Sequence, residues 1–167
     1  MAVNSAGSFN VGRDLTFRFV VNSQVFNISN ALITEISRSV KSNLHEVIPI
    51  NNDGKPVFRT TYSGYDYDLH LTRQNGQMDL LIDALVQNYY NGGTPPVVTA
   101  LETIRNPDQS VDQFQLLAGS IVPSSLGAFK GADPVNDVQI KVVFAERNPV
   151  GGAVTSAVNL ASASTYL

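Results

Sequence analysis

The stretch Gly64-Tyr-Asp-Tyr-Asp-Leu-His-Leu-Thr-Arg73 decides the fold class. Tyr65, Tyr67, Leu69 and Leu71 take alternate positions, and Asp66, Asp68, His70 and Thr72 fill the places between them. Side chains along a strand point alternately to its two faces, so this run reads as a strand with one apolar and one polar face. Two tyrosine rings beside two leucines read as core packing rather than as a stacking platform for bases or sugars.

Working outward, more of the chain carries the same period. Leu15, Phe17, Phe19 and Val21 alternate upstream, and residues 31–40 form a weaker strand rich in Ile, Thr and Ser. Residues 44–50 and 55–62 flank Asn51-Asn52-Asp53-Gly54, and Asp-Gly between apolar runs signals a hairpin turn. Downstream, the period changes. Met78, Leu81, Ala84, Leu85 and Tyr89 recur at helical spacing, which predicts a helix over 77–90. Asn75 is its expected N-cap, Asp79 suits the positive end of its dipole, and Gly92-Gly93 with Pro95-Pro96 ends it. Strands then resume over 97–105 and 111–122 around the turn Asn106-Pro107-Asp108-Gln109-Ser110. A loop is expected over 124–137, and Val138, Ile140, Val142 and Phe144 mark a last alternating strand. Six to eight strands around one helix make this a mainly β chain. Consecutive hairpins predict an antiparallel β-sandwich or half-barrel with the helix on one flank.

Length and composition bound the rest. The 167 residues suit one domain, here 1–147, followed by an arm over 148–167 that contains no charged residue. Charged residues are only 15% of the chain, which points to surface that meets protein rather than water. Net charge is −3 and no Lys/Arg cluster occurs, so the chain lacks the basic stripe of a DNA-gripping protein. With no cysteine, disulfides, thiolate metal sites and cysteine nucleophiles are excluded. The first residues lack the pattern of a signal peptide, and no apolar run is long enough to be a membrane-spanning helix.

Few residues offer chemistry. Asp66-x-Asp68-x-His70 has metal-ligating types on one strand face. However, alternate residues stand roughly 6.5–7 Å apart, which puts the outer pair about 13 Å apart, too far to close on one ion. His45 has no Gly-x-Ser-x-Gly elbow to serve. Gly127-Ala-Phe-Lys-Gly131 lacks the ending of a phosphate loop, and Asn51-Asn-Asp-Gly-Lys55 lacks the later ligands of a calcium loop. No cofactor, no metal and no enzymatic activity are expected.

The order of these elements resembles the tail tube proteins of bacteriophages. The residues that carry the resemblance are Tyr65–Arg73, the helix 77–90 with Asn91-Gly92-Gly93, Val97–Thr103 with its Glu102-Thr103 pair, Asn106–Ser110, Phe114–Gly119 and Val138–Ala145. Gln109 stands where that family's turn often has Gly. The resemblance spans residues 60–147 and rests on the order of the set rather than on any one motif.

It implies a structural subunit that forms hexameric rings with itself, each copy adding strands to a β-barrel. The rings stack into a hollow tube that conducts DNA during ejection without specific binding. Implied partners are a sheath if the tail is contractile, which is the reading favoured here, with baseplate and tail terminator proteins, and no membrane. The implied location is the virion tail, assembled in the host cytoplasm. Lumen-face candidates are Glu35, Asp66, Asp68 and His70. Ring-stacking candidates are Asn51, Asn52, Asp53, Gly54 and Lys55 at the tip of a polar hairpin, with the uncharged arm second. The alternatives are the inner tube of a secretion system or phage-like toxin particle, and a monomeric carbohydrate-binding β-sandwich using Tyr65, Tyr67, Tyr89 or Tyr90.

Overall fold

The computed structural model describes residues 15–22, 24–26, 33–50, 53–73, 76–132 and 137–151. Seven strands and one helix follow in the order β1 (Leu15–Val21), β2 (Gln24–Phe26), β3 (Ile33–Val47), β4 (Val57–Leu71), α1 (Gln77–Tyr90), β5 (Val98–Arg105), β6 (Val111–Leu126) and β7 (Val138–Gly151). All strands join one antiparallel sheet in the order β2-β1-β5-β6-β7-β4-β3. The architecture is the expected one, mainly β with one helix, and the sheet does not close: β2 and β3 are its edges.

The sheet curls so that one face meets itself. Phe17 on β1 stacks on Tyr67 of β4 at 5.5 Å, although β5, β6 and β7 stand between them in the sheet. Tyr67 also meets the edge of Phe144 on β7 at 5.6 Å. Such ring pairs contribute about 0.5–1.5 kcal/mol each beyond their buried area. Around them lie Leu69, Leu71, Val98, Ala100, Leu116, Val138, Ile140 and Val142, and α1 closes one flank with Leu81. Gly119 is where β6 passes beneath Phe144: a Cβ there would lie 2.6 Å from the ring and 2.7 Å from the Val98 carbonyl oxygen.

Helix α1 has the predicted bounds, but its start differs in kind. Gly76 takes the N-cap position without a side-chain cap, and Asn75 lies outside the described residues. Arg73 instead reaches Asp79 in the first turn, Nε to Oδ2 at 2.8 Å. At the other end Gly92 adopts φ +69°, and the Gly93 amide donates to the Asn88 carbonyl oxygen at 2.9 Å.

Three strands are longer than their sequence pattern. Residues 31–40 and 44–50 were expected as separate strands, yet Ile33–Val47 is one. Val57–Leu71 likewise joins 55–62 to 64–73, and β6 runs through Pro123 to Leu126, into the expected loop. β7 continues to Gly151, so residues 148–151 pair with β6, while 152–167 lie outside the described residues.

Candidate functional site

Adjacent registers put the four charged candidates together on the face opposite the core. Glu35 lies across from His70, Ser37 from Asp68 and Ser39 from Asp66, while Asp68 and His70 face Lys141 and Gln139 on β7. Parity explains this, since Tyr67, Leu69 and Leu71 take the alternate places and are buried.

The face is not uniformly wet, because Asp66 is buried. Its Oδ2 meets the Lys141 Nζ at 2.8 Å and its Oδ1 lies 3.4 Å from the Lys41 Nζ. Burial pushes the Asp66 carboxyl up, but the two ammonium groups outweigh that and hold it below the usual carboxylate value. The same contact with Asp66 raises the Lys141 pKa. His70 Nδ1 pairs with Asp137 Oδ1 at 2.6 Å, and hydrogen bonds from Gln139 and then His70 lower the Asp137 pKa. Among the described residues no three side chains of metal-ligating type converge. His45 Nε2 lies 3.1 Å from Thr61 Oγ1 on an exposed strand.

The second feature is a projecting ribbon. β7 pairs with β4 only over Tyr65–Leu71, so residues 57–62 of β4 leave the sheet with 42–47 of β3 as their sole partner among the described residues. A bulge at Lys41/Ser42 opposite Ser63 marks the departure. There Gly64 has φ +127°, and a Cβ would lie 2.5 Å from the Phe144 carbonyl oxygen. Beyond it Leu44, Phe58 and Tyr62 are exposed, and so are Val47, Ile48, Ile50 and Val57. Asp53 and Gly54 turn the tip with φ +49° and +73°, followed by exposed Lys55, while Asn51 and Asn52 lie outside the described residues. An isolated two-stranded ribbon is marginal in water, and this one carries exposed apolar side chains and, among the described residues, has no further strand on either outer edge.

A buried ionic knot ties the ribbon's base to the core. Glu102 on β5 is 0% exposed. It accepts hydrogen bonds from Arg38 on β3, from Nε and Nη2 of Arg147 on β7 at 3.1 and 3.0 Å, and from the Tyr67 hydroxyl at 3.0 Å. Burial, with the nearby Glu102 charge, pushes the Tyr67 hydroxyl up to about 12. Arg147 also lies over the Phe114 ring, 3.5 Å from its centroid. The sequence marked Glu102 only as part of a pattern. Its parity with Val98 and Ala100 is the signal that it points inward, whereas Arg38 and Arg147 are distant in sequence and carry no such mark.

The third feature is an apolar groove of about 340 Å³ between the end of α1, the Pro95–Pro96 turn and β6. Tyr89 and Tyr90 stand at its rim, exposed and in edge contact at 5.5 Å. Of the four tyrosines considered for sugar binding, Tyr67 is in the core and Tyr65 packs against it.

No family model matches this sequence, and no curated protein matches it. Solved structures share the fold. A chain of the anti-feeding prophage baseplate, seen by cryo-EM with six-fold symmetrisation, is 13% identical with a TM-score of 0.53, covering 87% of this chain and 97% of that one. A chain of the sheath–tube complex of an extracellular contractile injection system, in its extended state, is 12% identical with a TM-score of 0.51, covering 81% and 88%. At these identities the likeness is one of fold.

Proposed function

We propose that this chain is a non-enzymatic structural subunit of a phage-like particle, and within that class a tube subunit. Copies join as hexameric rings, and the rings stack into a hollow tube that conducts DNA. The projecting ribbon carries this reading. A subunit with an exposed apolar hairpin and, among the described residues, two open sheet edges is built to be completed by neighbours. The fold it shares with a chain of the anti-feeding prophage baseplate and a chain of a contractile injection system's sheath–tube complex supports the same class.

In this reading the face bearing Glu35, Asp66, Asp68 and His70 lines the lumen. Asp66 is already neutralised by Lys41 and Lys141. A phosphate backbone would then meet lysines that have partners, beside the acidic Glu35 and Asp68, and would pass without displacing counterions. The ribbon tip, residues 51–55, makes ring-to-ring contacts, with the uncharged arm as a second contact. Sheath, baseplate and terminator proteins are the expected companions in a contractile tail. The inner tube of an injection or secretion particle is the second reading, favoured because one of the similar structures is a chain of a contractile injection system's sheath–tube complex. A coding region with capsid and packaging genes beside this one selects the tail.

Negative-stain electron microscopy of the purified protein at rising concentration tests the class. Hollow tubes or stacked rings are expected. A monodisperse monomer under all conditions, including addition of preformed particle ends, would overturn the reading.

A further inference from the structure

The ionic knot is short of one negative charge. Glu102 supplies a single carboxylate, whereas Arg38 and Arg147 bring two guanidinium groups to it. A guanidinium holds five N–H donors in a planar fork that suits two-point contact with a carboxylate. Arg38 spends only Nη1 on Glu102, and Arg147 spends Nε and Nη2 on the one oxygen Oε2. Among the described residues, Arg38 Nε and Nη2 and Arg147 Nη1 have no acceptor.

Both arginines line a pocket of about 230 Å³, together with Ser39, Val40, Tyr65 and Tyr67. Register sets Arg38 across from Tyr67 and Val40 across from Tyr65, so these four share the core face of β3 and β4. Glu102 is fully buried and is not part of the lining, so the charge that meets the pocket is basic. β3 is an edge strand, and among the described residues no further strand covers this side. The walls select among anions. Tyr65, Tyr67 and Val40 give apolar contact to a short carbon stem. A doubly charged oxyanion such as sulfate would lose more hydration against them, with one surplus positive charge to offset the loss.

We infer that this pocket binds a carboxylate carried on a short apolar stem, held between the unspent donors of Arg38 and Arg147. The site goes beyond the tube reading and does not depend on it. Two sources offer that group: a small free carboxylic acid, and an aspartate or glutamate side chain of a second copy.

The unaltered chain tests it. At a dilution where the chain sediments as a monomer, it is treated with phenylglyoxal, which modifies exposed guanidinium groups. Mass spectrometry reads the rate at Arg38 against that at Arg18, both exposed. Sodium propionate is expected to slow Arg38 about tenfold at ten times its half-effect concentration, as mass action gives for a bound form that does not react, and to leave Arg18 unchanged. Sodium chloride and sodium sulfate at the same ionic strength are expected to slow Arg38 far less. An Arg38 rate equal in propionate and chloride, or slowed equally by sulfate, would overturn the site. The second arm separates the sources. If propionate, and not chloride, raises the concentration at which the chain assembles, the group is a neighbour's side chain. Assembly indifferent to propionate assigns the pocket to a free acid. A chain that never assembles leaves the first result standing and fails the tube reading alone.

Discussion

Replacing Glu102 with Gln tests whether the ionic knot holds the curled sheet together. The carboxylate is fully buried and accepts hydrogen bonds from Arg38, Arg147 and Tyr67, four in all. Gln keeps one acceptor oxygen and turns a donor amide toward the guanidinium groups: with the oxygen on the Oε2 side Arg38 loses its acceptor, with it on the Oε1 side Arg147 and Tyr67 lose theirs, and in either case the negative charge between the two arginines is gone. A hydrogen bond to a charged group contributes about 1.5–3 kcal/mol. Side-chain exposure of 43% for Arg38 and 24% for Arg147 lets both recover water, which discounts the loss. The expected destabilisation is about 2–4 kcal/mol, below the worst case for an orphaned buried charge. Tyr67→Phe removes one bond and should lose about 1 kcal/mol. Urea unfolding of the monomer at neutral pH, followed by circular dichroism, measures both. A Glu102→Gln loss no larger than that of Tyr67→Phe would refute the reasoning, because the carboxylate would then be holding nothing beyond the hydroxyl.

Four further outcomes are expected. Gly64→Ala forces a Cβ against the Phe144 carbonyl oxygen at a φ of +127°, and should lower stability by about 2 kcal/mol or more; an unchanged urea midpoint would show that the bulge tolerates a side chain. Gln109 holds φ +70° in the turn after β5, with its amide donating to the Asn106 carbonyl oxygen at 2.9 Å, so Gln109→Gly should stabilise by about 1 kcal/mol in thermal melts. The Asp66 pKa is lowered from 3.8, so its contribution to stability is present above that value and lost as pH falls through the folded one. Asp66→Asn should therefore be less stable at neutral pH and lack part of the acid limb of the stability–pH curve; superimposable curves would contradict it. Deleting residues 51–55 should leave the far-ultraviolet spectrum intact and abolish polymerisation in sedimentation, and tubes of normal length from that variant would remove the tip from ring contact.

Elements whose two faces differ were legible in the sequence. β4 over 65–71 buries Tyr67, Leu69 and Leu71 and leaves the intervening residues to the other face, so its alternation appears directly in the residues. The helix 77–90 was legible for the same reason at a different period. The ribbon was legible as a hairpin from its Asp53-Gly54 turn, but its continuity with the strands below was not, because neither of its faces is buried among the described residues. Val47, Leu44, Phe58 and Tyr62 therefore follow no burial parity, and the sequence breaks at Lys41–Asn43 and Ser63–Gly64 look like strand ends where the structure has a bulge. Pro123 misled in another way. Proline ends most strands, but it is tolerated where the N–H side has no partner, and β6 lacks a β5 partner there. Strand parity also grouped Asp66, Asp68 and His70 on one face. The pairing of Glu102 with Arg38 and Arg147 depends on how the sheet curls, which local pattern does not encode.

The bare ribbon also bears on when growth starts. Fixing each residue's backbone opposes association by about 1–2 kcal/mol, and the ribbon has six paired residues on each strand past the bulge to hold in place. Two copies meeting in solution gain one ribbon's contacts against that loss. In the proposed six-fold arrangement, a copy landing on a finished ring meets neighbours already held in place and gains more than one contact at once. In that arrangement elongation would proceed at concentrations where new starts are rare, and the count of finished tubes would follow the number of starting platforms.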